Sequence, residues 1–180
     1  HRRRVQIVFQ DPYRSMNPRI TVGDSIIEGP MNFGLKRDEA LDRARNLMET
    51  VRLDPNSLDR YPHQFSGGQR QRICIARALA MEPELLIADE AVSALDVSVQ
   101  KQVLELLDEI RVRLNLAVLF ITHDLRVAAQ ICDYVAVMSK GRIVEYGSAE
   151  QVFGAPRDDY TKALFSAAPG RNWEFGKFAA

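Results

Sequence analysis

Hydrophobic residues occur along this chain in short runs separated by longer amphipathic stretches. Three runs have the length of a strand and end at polar residues: Val5–Phe9, Leu85–Ala88 and Leu116–Ile121. A short continuous apolar run bounded by polar residues is typical of a strand inside a parallel sheet. The pattern therefore predicts three buried strands.

Two of the intervening stretches carry apolar residues at three- and four-residue spacing, Asp38–Leu53 and Ser98–Leu114. This spacing predicts amphipathic helices. A third helix is predicted to begin at the paired glycines Gly67 and Gly68. Because strands alternate with helices, we expect an α/β fold with a largely parallel sheet.

The last part of the chain has a different pattern. Tyr134–Met138 and Arg142–Tyr146 flank a Lys-Gly pair and predict a hairpin. Gly170–Ala180 is small and polar with scattered aromatic residues, and is predicted to be a mobile tail.

Composition narrows the class of protein. At 180 residues the chain suits one domain with a substantial core. Lysine plus arginine and aspartate plus glutamate number 24 each, and this zero net charge argues against a nucleic-acid partner. No apolar run is long enough to span a membrane, and there is no signal-peptide pattern. The first residue is not methionine, so we expect a fragment.

The two cysteines add little chemistry. Cys74 and Cys132 show no metal-ligand spacing and are too few for a disulfide scaffold. A reducing cytosol is the simplest location for such a chain.

Carboxylates and polar groups follow the predicted strands. Asp89 and Glu90 end the second strand, at the sheet edge where ligands bind in open α/β folds. One acid could hold Mg²⁺ and the other could orient or deprotonate a water that attacks a phosphoryl group. Taken alone, the pair is better explained as a strand that ends in a solvated acidic turn.

Two further residues end strands in the same way. Gln10 follows the first strand, and its amide oxygen could join a Mg²⁺ shell; His123 follows the third strand. A glutamine at a strand end is common, and a lone histidine is more often structural than catalytic. Both residues are nevertheless candidates for the site, because we expect them at the same edge of the sheet as Asp89 and Glu90.

The glycine pair stands at the predicted start of a helix, in Phe65-Ser-Gly-Gly-Gln69. Unpaired amides and the helix dipole favour an anion there. The usual phosphate loop, G-x-x-x-x-G-K-[ST], does not occur in the sequence. Ser93–Asp96 could be an ordinary helix cap, because serine and aspartate favour that position.

These groups occur in one order, and the ordered set resembles the nucleotide-binding domain of ABC transporters. VFQDP is similar to the Q-loop, FSGGQ to the signature motif, LLIADE to Walker B, SALD to the D-loop and ITHD to the H-loop. The resemblance runs from Val5 to Gly147. It implies a P-loop NTPase of RecA-like α/β fold with a helical subdomain.

The resemblance also implies roles in binding and hydrolysing ATP with Mg²⁺. Glu90 would act as base or water-orienter, His123 would contact the γ-phosphate, and Gln10 and Asp89 would serve the metal. In the family, two such domains dimerise head to tail. The signature residues Ser66, Gly67, Gly68 and Gln69 would then bind ATP held by a partner subunit, and Ser93 and Asp96 would lie at the nucleotide, with Asp96 organising the dimer interface.

Longer matches narrow the resemblance to the peptide-importer branch: QDPYRSMNPR, RYPHQFSGGQRQRI, SALDVSVQ and a terminal Pro156-x-x-x-Tyr160-Thr-x-x-Leu164. This branch implies uptake of peptides or a related solute such as nickel or glutathione. The implied partners are a second nucleotide-binding subunit, integral membrane permease subunits and, indirectly, an extracytoplasmic substrate-binding protein. The implied location is peripheral, on the cytoplasmic face of the inner membrane.

Two departures from the family pattern stand out. Ala91 replaces the common proline after the glutamate and touches no implied ligand. The Walker A loop is absent; Gly29–Lys36 approaches its pattern but follows the Q-loop, and Arg37 replaces Ser/Thr, so we reject it. Without the strand that feeds this loop, we expect unpaired sheet edges and a chain that aggregates or rearranges when alone.

The resemblance predicts four segments: the Q-loop strand (1–18), a helical subdomain with the signature (19–81), the RecA-like core (82–147) and a C-terminal extension and tail (148–180). Two alternative functions stay open. One is a non-transport ABC ATPase, although such proteins usually carry coiled-coil insertions or tandem domains. The other is a fragment that does not bind nucleotide by itself.

Overall fold

The computed structural model describes residues 3–167, and the tail predicted at Gly170–Ala180 lies outside them. The chain divides into two compact units, the first ending at Ile121 and the second beginning at Thr122. Each unit is described by itself. The four predicted segments do not coincide with this division and stay predictions.

A three-stranded parallel sheet forms the base of the first unit. Its strands are β1 (Val5–Val8), β2 (Leu85–Asp89) and β3 (Ala117–Ile121), paired in that order. Val8 pairs with Ala88 and Asp89 pairs with Ile121, so the carboxyl ends of the strands share one edge. The predicted parallel sheet is confirmed, with each strand within one residue of its expected bounds.

Four helices complete the first unit: α1 (Val22–Asn32), α2 (Arg37–Thr50), α3 (Gly67–Leu79) and α4 (Val97–Leu114). The three helices predicted from sequence are confirmed as α2, α3 and α4. The sequence pattern did not reveal α1, because Gly29 and Pro30 lie inside it and both residues disfavour a helix interior. Thr21 begins α1 by accepting a hydrogen bond from the Asp24 amide at 3.1 Å.

The helix α1 also explains the near-match to a phosphate loop. Gly29 lies within α1, where an added Cβ would be only 2.6 Å from the Met81 sulfur. Its glycine is therefore explained by close packing. The stretch Gly29–Lys36 thus begins inside a helix, whereas a phosphate loop follows a strand, and this agrees with its rejection.

The second unit contains the predicted hairpin, β4 (Tyr134–Ser139) and β5 (Arg142–Ser148), and three helices, α5 (Leu125–Ile131), α6 (Ala149–Gly154) and α7 (Asp159–Ala167). Lys140 and Gly141 both have positive φ, as a tight hairpin turn requires. The aromatic rings of Phe153 and Phe165 stack in its core at 4.8 Å between centroids. This small core holds α6 and α7 together.

One face of the parallel sheet is covered and the other is exposed. Val8, Leu86 and Ala88 are buried, whereas Ile7 is 43% and Leu119 50% exposed on the opposite face. The prediction that β1 and β3 are buried strands was therefore wrong for their alternate residues. Among residues 3–167, only one side of these strands is covered, so apolar runs that suit a two-sided burial are left half covered.

We expect this exposed face to drive self-association of the 180-residue chain. The double change Ile7→Thr with Leu119→Thr should reduce association, because it removes apolar surface while keeping strand propensity. Light scattering and size-exclusion chromatography measure the effect, and the thermal midpoint should stay unchanged.

The matched control is Val8→Thr on the covered face, where Val8 is 2% exposed. It should cost about 1–3 kcal/mol of unfolding free energy, since it buries a hydroxyl group. A sharp monomeric peak and cooperative unfolding of the unsubstituted chain would contradict the expectation.

Candidate functional site

Three predicted site residues follow neighbouring strands at the carboxyl edge of the parallel sheet. Asp89 is the last residue of β2, Glu90 follows it, and Gln10 stands two residues beyond the end of β1. The parallel register of β1 and β2 brings these positions to the same edge. Asp89 and Glu90 are half-buried and Gln10 is exposed. The edge therefore offers two carboxylates and an amide to a ligand.

The backbone of Glu90 is held in an uncommon conformation. Its φ is 49°, in the left-handed region that residues other than glycine seldom adopt. Its amide donates to the Ile121 carbonyl at 2.9 Å, and its carbonyl accepts from the amide and hydroxyl of Ser93 at 3.0 Å each. These bonds fix the direction in which the chain leaves β2. Strain of this kind concentrates at functional sites.

The segment after Glu90 is a turn that ends at the N-terminus of α4. Ser93 belongs to this turn and does not cap the helix. Asp96 occupies the N-cap position, but its side chain makes no capping hydrogen bond and is exposed. The interpretation of Ser93–Asp96 as an ordinary helix cap therefore does not account for the Asp96 carboxylate.

The signature residues form a reciprocal capping box at the start of α3. The Gln69 amide donates to Ser66 Oγ at 3.3 Å, and the Ser66 amide donates to Gln69 Oε1 at 2.9 Å. The box does not use the amides of Gly67 and Gly68, and the Ser66 hydroxyl keeps its own proton to donate. This helix start therefore presents donors where the helix dipole favours an anion. Gln69 shapes the site by fixing Ser66.

The two glycines serve different purposes. A Cβ added to Gly68 would lie 2.3 Å from Val99 Cγ1, whereas one added to Gly67 would meet only Leu95 Cδ2 at 3.9 Å. Gly68 therefore allows α3 to pack closely against α4, and Gly67 leaves open space next to its amide. The contact between Val99 and Gly68 could not be predicted from the sequence, because the spacing of Val99 on α4 matches that of any core residue.

His123 belongs to the second unit. It lies in the exposed loop between β3 and α5, next to Thr122 and Asp124. The Thr122 hydroxyl oxygen accepts from the Asp124 amide at 3.0 Å, and Asp124 caps α5 through the Arg126 amide at 2.9 Å. The loop around His123 is thus ordered by its neighbours. Its proximity to Asp89 stays a prediction.

The donor set at the sheet edge fits magnesium. Within residues 3–167 there is no group of three or more histidine, cysteine or acidic side chains that could hold a metal by itself. Magnesium prefers oxygen ligands and usually binds through one or two carboxylates together with substrate phosphates and water. The Asp89 carboxylate and the Gln10 amide oxygen match that mode.

Comparison with known proteins identifies the class. The family model described as "ABC transporter" matches residues 1–93, more than half of the chain. The chain belongs to this family and has the α/β fold of its ATP-binding domain. The solved structure of CbiO1 from Clostridium perfringens, described as part of the ABC transporter complex CbiONQ, matches with a TM-score of 0.77 and 30% identity over 93% of this chain and 65% of that one.

Curated relatives narrow the resemblance further. The dipeptide transport ATP-binding protein DppF of Escherichia coli is 51% identical over 173 residues, covering 95% of this chain and 52% of DppF. The glutathione import ATP-binding protein GsiA of Pectobacterium atrosepticum is 52% identical over 169 residues, covering 93% of this chain and 27% of GsiA. The chain therefore spans about half of DppF.

In the part of the chain that the structure describes, no helix has the length and apolar character needed to cross a membrane.

The packing of Gly68 on Val99 leads to a prediction with a built-in rescue. Gly68→Ala should lower the free energy of unfolding by about 1–3 kcal/mol, because the added methyl overpacks the contact between α3 and α4. Adding Val99→Ala should restore most of this loss. Urea unfolding of the full-length protein measures both changes.

Gly67→Ala is the matched control, since its methyl enters open space. It should leave the unfolding midpoint unchanged or slightly higher. Equal destabilisation by the two alanine substitutions would contradict the distinction between the glycines.

Proposed function

We propose that this chain is part of the ATP-hydrolysing subunit of an ABC importer that takes up peptides or a related small solute. The observation that carries the proposal is that one compact unit contains both oxygen ligands suited to a metal ion and a helix N-terminus suited to an anion. Asp89, Glu90 and Gln10 share the carboxyl edge of a parallel sheet, and Ser66 caps a helix whose capping box leaves the amides of Gly67 and Gly68 unused. Similarity to DppF and GsiA supports the choice of solute.

Glu90 acts on the water molecule that attacks the γ-phosphate. Its carboxylate orients the water and accepts a proton as the new phosphorus–oxygen bond forms and the bond to ADP breaks. The hydrogen bonds at its backbone support this role, because they hold the residue in one direction without involving its carboxylate. His123 contacts the γ-phosphate from its own loop.

Magnesium would be held by Asp89 and Gln10 and would supply charge neutralisation on the phosphate oxygens. Asp89 ends a paired strand, so its backbone is fixed up to the last residue. Gln10 lies on an exposed bend beyond β1, so its side chain is accessible to the nucleotide.

The signature residues bind nucleotide held by a second subunit. Ser66 donates through its hydroxyl, Gly67 and Gly68 donate through their amides, and Gln69 holds Ser66 in place. The exposed Asp96 carboxylate organises the contact between subunits, with Ser93 beside the nucleotide. Open space at Gly67 supports this arrangement, because a phosphate needs close access to the backbone.

The remaining partners are permease subunits in the membrane and, through them, an extracytoplasmic substrate-binding protein. The subunit then works as a peripheral protein on the cytoplasmic face of the membrane. The neighbouring structure CbiO1, part of the complex CbiONQ, supports a multi-subunit assembly. Co-purification with integral membrane subunits distinguishes this importer from an ABC ATPase that acts outside transport.

Glu90→Gln in the full-length protein tests the catalytic role. Loss of one positioned base costs about 10²–10⁴ in rate, so steady-state hydrolysis should nearly vanish while ATP-driven dimerisation remains. Phosphate release and size-exclusion chromatography with ATP measure the two properties.

Glu109→Gln is the control, because Glu109 is an exposed carboxylate whose ion pair with Arg52 is at the surface. Exposed ion pairs contribute little, so activity should be unchanged. Full hydrolysis by Glu90→Gln would remove Glu90 from the role.

Binding of a fluorescent ATP analogue with Mg²⁺ tests the chain by itself. The sequence contains no G-x-x-x-x-G-K-[ST] loop, so we expect no saturable binding by the 180 residues and clear binding by the full-length protein. Tight binding by the short chain would require a phosphate site different from the one proposed.

A further inference from the structure

Helix α3 holds the segment that follows β1 through a ladder of side-chain donors. The donors are spaced three residues apart along one side of the helix, and each points at a backbone carbonyl oxygen of that segment. The pairs are Gln71 Nε2 with Phe9 at 3.4 Å, Cys74 Sγ with Pro12 at 3.9 Å, and Arg77 Nη1 with Ser15 at 2.5 Å. The separation in sequence is 62 residues for every pair, so the two segments advance in step.

The acceptor segment has a regular shape of its own, although it is neither helix nor strand. Asp11 Oδ1 accepts from the amides of Tyr13 at 2.9 Å and Arg14 at 3.1 Å. The Ser15 amide donates to the Asp11 carbonyl at 3.2 Å. The Arg70 guanidinium lies 5.5 Å from the centre of the Tyr13 ring. The turn therefore presents its carbonyls at the spacing of the donors on α3.

Of the three donors, Gln71 is the one whose presence is hardest to explain by a contribution to folding stability. Its side chain is fully buried, at 0% exposure, and its Oε1 has no hydrogen-bonding partner among the described residues. A buried unpaired acceptor costs free energy, whereas an apolar residue of the same shape would avoid this cost. The side-chain hydrogen bond that Gln71 makes among the described residues goes to Phe9, directly before Gln10.

Cys74 fits the same arrangement. Burial raises the pKa of its thiol to about 11, so the sulfur keeps its proton at neutral pH and can donate weakly to Pro12. Arg77 makes the shortest contact, at the far end of the turn. The ladder is thus anchored at both ends, with Gln71 at the end nearest the site.

We propose that Gln71 is a positioning residue that links the Q-loop residue Gln10 to the signature residues at the start of α3. Ser66 and Gln71 are five residues apart on one capped helix, a rise of about 7.5 Å. A displacement of α3 is therefore passed to the Phe9 carbonyl, and from there to Gln10. The roles of Gln10 and Ser66 rest on the proposed function, whereas the physical link does not.

The test is Gln71→Met in the full-length protein, with Gln71→Leu as a second apolar variant. Methionine keeps the unbranched shape of glutamine and removes both the donor and the unpaired acceptor. The melting temperature should therefore be unchanged or higher. The protected amides of Tyr13, Arg14 and Ser15 should exchange with deuterium about 3–10-fold faster, since one hydrogen bond that holds their turn is lost.

Activity gives a second readout that a purely structural role would not move. The kcat for ATP hydrolysis should fall about 2–30-fold with KM unchanged, the usual range for residues that couple two sites. Ile73→Val is the matched control on α3, because Ile73 is equally buried and, two residues from Gln71, lies on the opposite side of the helix from it. It should lower the melting temperature and leave both kcat and the exchange of the turn amides unchanged.

Three outcomes would be decisive. Unchanged amide exchange in a folded Gln71→Met protein would overturn the link itself. Faster exchange with unchanged kcat would overturn the positioning role. A wrong functional assignment has a different signature: the Glu90→Gln protein would hydrolyse ATP at the full rate. The deuterium exchange of the turn amides would still test the link through Gln71.

Discussion

The burial of α3 is the constraint on which the first unit depends. Ile73, Ile75 and Ala76 are fully buried, and the helix contacts α1, α2, α4 and β1. A helix covered on several sides passes any displacement on to its neighbours, because close-packed interiors have low compressibility and transmit strain. At its N-terminus, however, the capping residue Ser66 is exposed and Gly67 is partly exposed, whereas Gly68 is buried. One helix thus carries the proposed binding surface at its N-terminus and packing contacts along its length.

The same helix connects parts of the chain that the sequence keeps far apart. Gly68 sets its distance from α4, and Gln71, Cys74 and Arg77 hold the turn after β1. The groups proposed to bind nucleotide are therefore attached to one another through backbone and packed side chains, and not only through a ligand. This attachment gives the unit a defined geometry before any nucleotide is present, which reduces the cost of ordering on binding.

Much of this could be predicted from sequence, and the failures have physical causes. Periodicity located α2, α4 and the three strands because each is long enough, or apolar enough, to repeat its pattern. It missed α1, where Pro30 and Gly29 interrupt the signal. It also gave no account of Gln71, because the ladder joins positions 62 residues apart and no local spacing reports such a contact. The exposed face of the sheet was missed because an apolar strand looks the same whether one side or both are covered.

The left-handed backbone at Glu90 sets stability against the activity proposed for that residue. Glycine would adopt a φ of 49° at no steric cost, so selection for stability alone would favour it there. The chain keeps a glutamate instead and bears the strain, with Ser93 and the end of β3 holding the conformation in place. Under laboratory evolution for thermal tolerance, position 90 would be among the first to drift toward glycine. Only selection for the proposed role of Glu90 in hydrolysis would oppose this drift.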